Sequence, residues 1–137
     1  LVAIIVLNGN NKGAKLMINS QDLIQTVRQL ANDNPTNCYE GNKDGQGCCY
    51  ARGKCSNGTI GCILGQAMIA CDHEVTEYIS DKERQTKQFE LLYESMINEG
   101  LIEMSRQDMI WCSEVQKYQD DGETWADAVA YADGVRP

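Results

Sequence analysis

Apolar positions along the chain recur mainly at helical spacing. Leu23, Ile24, Val27, Leu30 and Ala31 fall three and four residues apart, Ser20 stands where an N-cap belongs, Asp22 follows in the first turn, and Pro35 stops the run. That pattern predicts a helix over 21–33. Cys62 to Ala70 is apolar almost all round, which predicts a buried helix over 62–71. Phe89, Leu92, Tyr93, Met96 and Ile97 share one face of a predicted helix over 83–98, with Gly100 placed to end it. Ser105 is suited to cap a helix over 105–120 whose Ile110, Trp111, Val115 and Tyr118 are expected to face inward. A last helix over 124–133 places Trp125, Ala128, Val129 and Ala132 together, with Glu123 or Thr124 as its cap. These helices are expected to pack around Leu30, Leu64, Met68, Leu92, Met96, Trp111 and Val129, with Cys112 also in the core.

Two stretches break the helical period. Leu1 to Leu7 is rich in β-branched residues and ends at Asn8-Gly9, so it reads as a short strand paired with Ala14 to Ile18. Residues 1–19 are therefore expected to form an extension, either this short strand or a non-native leader, with Met17 as an alternative start just ahead of the first helix. From Asn34 to Gly61 the chain is rich in Gly, Asn and Cys and reads as irregular structure. Arg52-Gly53-Lys54 and Asn57-Gly58 there allow a small β-hairpin. The expected fold class is mainly α: a compact bundle of about five helices forming one domain over 20–137, with an irregular Cys/Gly-rich segment and an N-terminal strand.

Length and charge narrow the functional classes. A chain of 137 residues with 42% apolar composition can bury a core of its own, and its longest apolar run is far too short to cross a bilayer. The net charge of −8 is unevenly spread. Residues 1–60 carry six Lys/Arg and four Asp/Glu (+2), whereas 61–100 and 101–137 each carry three and eight (−5 each). An acidic C-terminal half repels phosphate backbones and anionic lipid and attracts a basic protein surface. No direct nucleic-acid binding and no membrane association are expected.

Seven cysteines, an odd number, tilt towards a reducing compartment. Cys48, Cys49, Cys55 and Cys62 are the candidate metal ligands, since clustered thiolates in a Gly-rich loop suit zinc. Their spacing matches neither Cys-x2-Cys nor Cys-x4-Cys, and adjacent Cys48 and Cys49 are poorly placed to share one ion. A Cys49–Cys62 disulfide would contribute about 3 kcal/mol. Free buried thiols acting as small hydrophobes are the third alternative. His73, the one histidine, lies between Asp72 and Glu74 without a positioned nucleophile, paired-carboxylate motif or Gly-rich phosphate loop, so no catalytic residue is assigned.

Asp22-Leu-Ile with Val27-Arg, Gly61-Cys-Ile-Leu-Gly-Gln66, Trp111, Val115-Gln116, Gln119-Asp120, Gly122, Trp125-Ala126 and Ala128-Val129 together resemble a family of small proteins of uncharacterised function in actinobacteria and their phages. The resemblance spans roughly residues 20–133, departs at the leading segment and at Cys38, Cys48 and Cys55, and implies a helical organisation with a Cys pair around a short hairpin. Within its pattern, Gly61 and Gly65 would let the start of a helix pack against the hairpin, and Gln116, Gln119, Asp120 and Trp125 form a polar-aromatic set that is the candidate binding site. Trp125 is also expected to be buried and to fix the last helix. The expected function is a non-enzymatic interaction protein, encoded by a phage or mobile element and acting in the host cytoplasm, that binds a basic host protein through its acidic half. The alternative is a small-molecule or nucleotide-binding protein, a sponge or an enzyme, that uses the Cys-rich loop and the helix starting at Cys62.

Overall fold

The computed structural model describes residues 17–41, 50–81 and 88–135. The strand expected over Leu1–Leu7, the cysteines Cys48 and Cys49, and the first turn of the helix expected from residue 83 lie outside the described residues.

The described chain opens with strand β1 (Ile18–Asn19) and runs directly into helix α1 (Ser20–Asp33). The cap is Asn19 rather than Ser20. Pairing with Glu103 holds Asn19 extended (φ −94°, ψ 137°), so the change from strand to helix falls there, and its Oδ1 accepts from Gln21 N at 2.8 Å. Leu23, Val27 and Ala31 form the buried stripe of α1, with Ile24 and Leu30 half-buried beside it.

After the irregular segment come α2 (Ile63–Cys71) and α3 (Val75–Ile79). In keeping with its almost wholly apolar character, α2 is well enclosed: Ile63, Leu64, Gly65, Ala67 and Met68 are all buried. The five-residue α3 has too short a period to be read from sequence. Next is α4 (Phe89–Asn98), which buries Phe89, Leu92 and Met96, while Ile97 turns outward at 41% exposure.

β2 (Ile102–Glu103), α5 (Arg106–Asp120) and α6 (Trp125–Ala132) complete the fold. Between Ala14–Ile18 and its expected partner Leu1–Leu7, only Met17 and Ile18 are described. Ile18 pairs in parallel with Ile102, and its N–H donates to Leu101 O at 2.9 Å. Both isoleucines are buried, so the pairing ties the start of α1 to the end of α4 through the core.

Helices α4 and α5 end in the same way. Gly100 (φ +70°) donates to Ile97 O and Leu101 to Met96 O; Gly122 (φ +96°) donates to Gln119 O and Glu123 to Tyr118 O. These paired bonds satisfy the last carbonyls, and the positive φ explains why glycine occupies both positions. Ser105 caps α5 through Asp108 N, as its sequence position suggests, and Thr124 rather than Glu123 caps α6 through Asp127 N.

The inward face of α5 differs from the one its apolar residues suggest. Met109, Cys112, Val115, Gln116 and Gln119 are buried, Ile110 is 46% exposed, and Trp111 and Tyr118 sit half-buried at the rim. Two of the five buried positions are glutamines, so a hydrophobic count places the face about one residue too far round. Leu30 and Trp111 therefore flank the core, whereas Leu64, Met68, Leu92, Met96, Cys112 and Val129 lie within it. The molecule is mainly helical, and among the described residues no helix is long and apolar enough to cross a membrane.

Candidate functional site

The buried glutamines of α5 explain how two other helices begin. Neither α2 nor α4 has a side-chain cap of its own. Gln119 Oε1 accepts from Ile63 N, the first helical residue of α2, at 2.8 Å, and its Nε2 donates to Asp120 Oδ1 at 3.0 Å. Gln116 Oε1 accepts from Phe89 N, the first of α4, and its Nε2 donates to the Tyr50 hydroxyl at 2.7 Å. One turn of α5 thus supplies remote caps to two helices, satisfying donors that would otherwise be buried without partners. Substituting Gln119 with Leu is expected to leave Ile63 N unsatisfied and to lower stability by about 1–3 kcal/mol, measured by urea denaturation.

Tyr50 lies fully buried where the irregular segment crosses α2. A Cβ at Gly65 or Gly61 would collide with the Tyr50 carbonyl oxygen, so these glycines permit the close approach of backbone that Gln116 then anchors through the hydroxyl. The segment itself is held by antiparallel bridges Tyr39 to Cys55 and Lys54 to Ile60, with a tight turn in which Gly58 N donates to Cys55 O at 2.9 Å. Asn37 Oδ1 accepts from Ser56 Oγ and Asn57 N and fixes that turn from the other side.

Trp125 is fully buried at the first position of α6. Its backbone N–H donates to Asn37 O at 2.9 Å and Ala126 N donates to Pro35 O, so the last helix starts against the segment that leaves α1. The indole Nε1 and Asn37 Nδ2 are buried with no hydrogen-bond partner among the described residues. Of the candidate set, Gln116 and Asp120 line a shared cleft of about 300 Å³ with Glu90, Ser113, Lys117 and Asp121. Gln119 points to α2 instead, and Trp125 belongs to the α6 core.

Among the cysteines, Cys38, Cys55, Cys62, Cys71 and Cys112 are free. Burial pushes the thiols of Cys55, Cys71 and Cys112 above the ordinary range, which keeps them protonated and weakly nucleophilic. Cys55 Sγ donates to Gly61 O at 3.3 Å and accepts a long contact from Gln66 Nε2 at 3.8 Å, a packed environment. Among the described residues no group of three or more His, Cys, Asp or Glu side chains comes together to hold a metal ion. His73 is exposed in the turn before α3, where its carbonyl accepts from Thr76.

A third arrangement was not legible in the sequence, because its members come from distant helices. Arg28 of α1 makes a bidentate pair with Asp133 just beyond α6, both bonds at 2.8 Å, and its guanidinium lies 4.8 Å from the centre of the Trp111 ring. Trp111 Nε1 donates to the same carboxylate at 2.8 Å. The hydrogen bonds from Arg28, aided by the one from Trp111, hold the Asp133 carboxyl below the usual carboxylate range against a smaller opposing effect of burial. A carboxyl depressed in the folded state contributes stability above its unfolded pKa of about 3.9 and loses it as pH falls through the lower folded value. The stability difference between the wild type and Asp133→Asn is therefore expected to be about 0.5–1 kcal/mol near neutrality, allowing for solvent screening, and to vanish in acid. Thermal melts of both proteins across that range check it.

The fold and these sites define a mainly helical protein in which two helix starts, those of α2 and α4, are capped from α5. No protein-family model, no curated protein and no solved structure matches the chain.

Proposed function

We propose that this chain is a non-enzymatic interaction protein that binds a basic surface of a host protein through its acidic C-terminal half. The observation that carries this reading is the exposure of the negative charge. Glu90, Glu94, Glu99, Glu103 and Asp121 are exposed, Asp120 and Glu123 are partly so, and among the described residues from 61 to 135 no carboxylate is buried. Charge arranged in this way steers encounter and selects a cationic partner more than it stabilises the fold. The proposal includes a phage or mobile-element origin and a cytoplasmic site of action in the host, which is what the sequence resemblance implies. The alternative ligand site at the start of α2 is less favoured, because Cys62, Ile63 and Leu64 are fully buried and the Ile63 N–H is already taken by Gln119.

A pull-down from actinobacterial lysate tests the reading. A partner is expected to be retained at about 0.05 M salt, where the screening length exceeds 10 Å, and released at about 0.5 M. The triple variant Glu90→Gln, Asp120→Asn, Asp121→Asn is expected to retain less of it. Capture that responds to neither salt nor charge removal refutes the proposal.

A further inference from the structure

A groove of about 580 Å³ runs between α1, α5 and α6. Its apolar surface comes from Ile24, Ile110, Trp111 and Ala132, and its acidic groups are Asp108 and Glu114. Ile110 is 46% exposed there, so the groove presents a large aliphatic side chain in the same lining as the half-buried indole of Trp111. Arg28 also lines the groove, but its charge is matched by the bidentate Asp133 pair. Asp108 and Glu114 have no ion-pair partner among the described residues, so they set the sign of the groove.

The indole of Trp111 is fixed before anything binds. Arg28 covers one side of the ring and Asp133 holds Nε1, which leaves a rigid aromatic surface that loses little conformational freedom on contact. Aromatic anchors of this kind dominate the energetics of protein interfaces.

We infer that this groove seats one amphipathic helix of a partner protein, with an apolar stripe against Ile110 and Trp111 and Lys or Arg residues beside Asp108 and Glu114. The inference rests on the proposed acidic-surface function and narrows it to one surface and one kind of partner element. Charge complementarity selects a cationic occupant. It also disfavours a second copy of this chain, since symmetric pairing through the groove would bring Asp108 and Glu114 against their own counterparts. Helical form follows from the walls. All three are helices whose backbone groups are bonded internally, so they offer an extended peptide no ladder to join, whereas a helix brings its own hydrogen bonds satisfied.

The test uses the full chain and three synthetic peptides of equal length: a helix with a Leu face and a Lys face, the same helix with Glu for Lys, and a Lys/Ser/Gly peptide without an apolar face. Trp125 is fully buried and Trp111 only partly, so intrinsic fluorescence reports the groove. The Leu/Lys helix is expected to give a saturable change and to bind on the order of tenfold more tightly than either control. Ile110→Lys, an exposed substitution whose fold is checked by circular dichroism, is expected to weaken it on the order of tenfold, as is the pair Asp108→Lys, Glu114→Lys. Absence of binding by the Leu/Lys helix, or equal binding by the Lys/Ser/Gly peptide, overturns the inference. So does binding that ignores Ile110→Lys but is lost in the Glu90→Gln, Asp120→Asn, Asp121→Asn variant, an outcome that leaves the acidic-surface function standing. Conversely, a Leu/Lys helix that seats at Ile110 while the lysate yields no salt-sensitive partner upholds the groove and removes the broader function.

Discussion

Trp125→Ala is expected to lower stability by about 3–5 kcal/mol, because a fully buried indole leaves a cavity that small neighbours cannot refill. Ala126 and Ala128 stand beside it on α6, and the backbone bonds of Trp125 and Ala126 to Asn37 and Pro35 hold the helix start in place, so collapse onto the gap is restricted. Against a total of about 5–15 kcal/mol for a domain, such a loss populates the unfolded state measurably at moderate temperature. Urea denaturation of the purified variant gives the value. A loss below about 1 kcal/mol would reject the structural role and return Trp125 to the candidate binding set. Because the native indole Nε1 is itself unpartnered among the described residues, Trp125→Phe removes less and is expected to cost about 1–2 kcal/mol.

Gly65→Ala is the second large effect. An added Cβ would overlap the carbonyl of Tyr50, a backbone atom in the middle of the core, and neither α2 nor the crossing segment can retreat without disturbing the Gln116 to Tyr50 bond. The expected cost is about 3 kcal/mol, at the upper end for overpacking. Gly58→Ala supplies the contrast. Gly58 has φ +90° but nothing within 4 Å of the added atom, so only backbone strain of about 1 kcal/mol is expected. Similar losses at the two positions, measured side by side by thermal melting, would show that the close approach at Tyr50 carries no special weight.

The helices were legible because each carries its own punctuation. Pro35, Gly100, Ser105, Gly122 and Thr124 mark ends that local backbone chemistry dictates, and the helices α1, α2, α5 and α6 fall within a residue or so of their expected spans. The cap of α1 shifted by one residue because strand pairing with Glu103, a distant contact, decided where the backbone turned helical. The inward face of α5 was misplaced for a similar reason. The sequence offers Gln116 and Gln119 as polar members of a candidate binding set with Asp120 and Trp125; only the folded chain brings the uncapped starts of α2 and α4 beside them, where burying the two amides satisfies those backbone donors. Trp111 falls on the helical stripe whose spacing predicts an inward face, yet Arg28 and Asp133, contributed by other elements, hold its polar edge at the surface.

By itself, then, the amino-acid order determined what depends on neighbours within a turn or two: the helical class, most helix limits, the buried character of α2, the burial of Trp125 and the acidity of the C-terminal half. Tertiary structure decided what depends on residues far apart in the chain. The parallel pairing of Ile18 with Ile102, the remote caps from α5, the seat of Tyr50 against Gly65 and the Arg28–Asp133–Trp111 lock all join groups whose local surroundings are compatible with several roles. A buried polar group must find a partner, and only the folded chain determines which one is within reach.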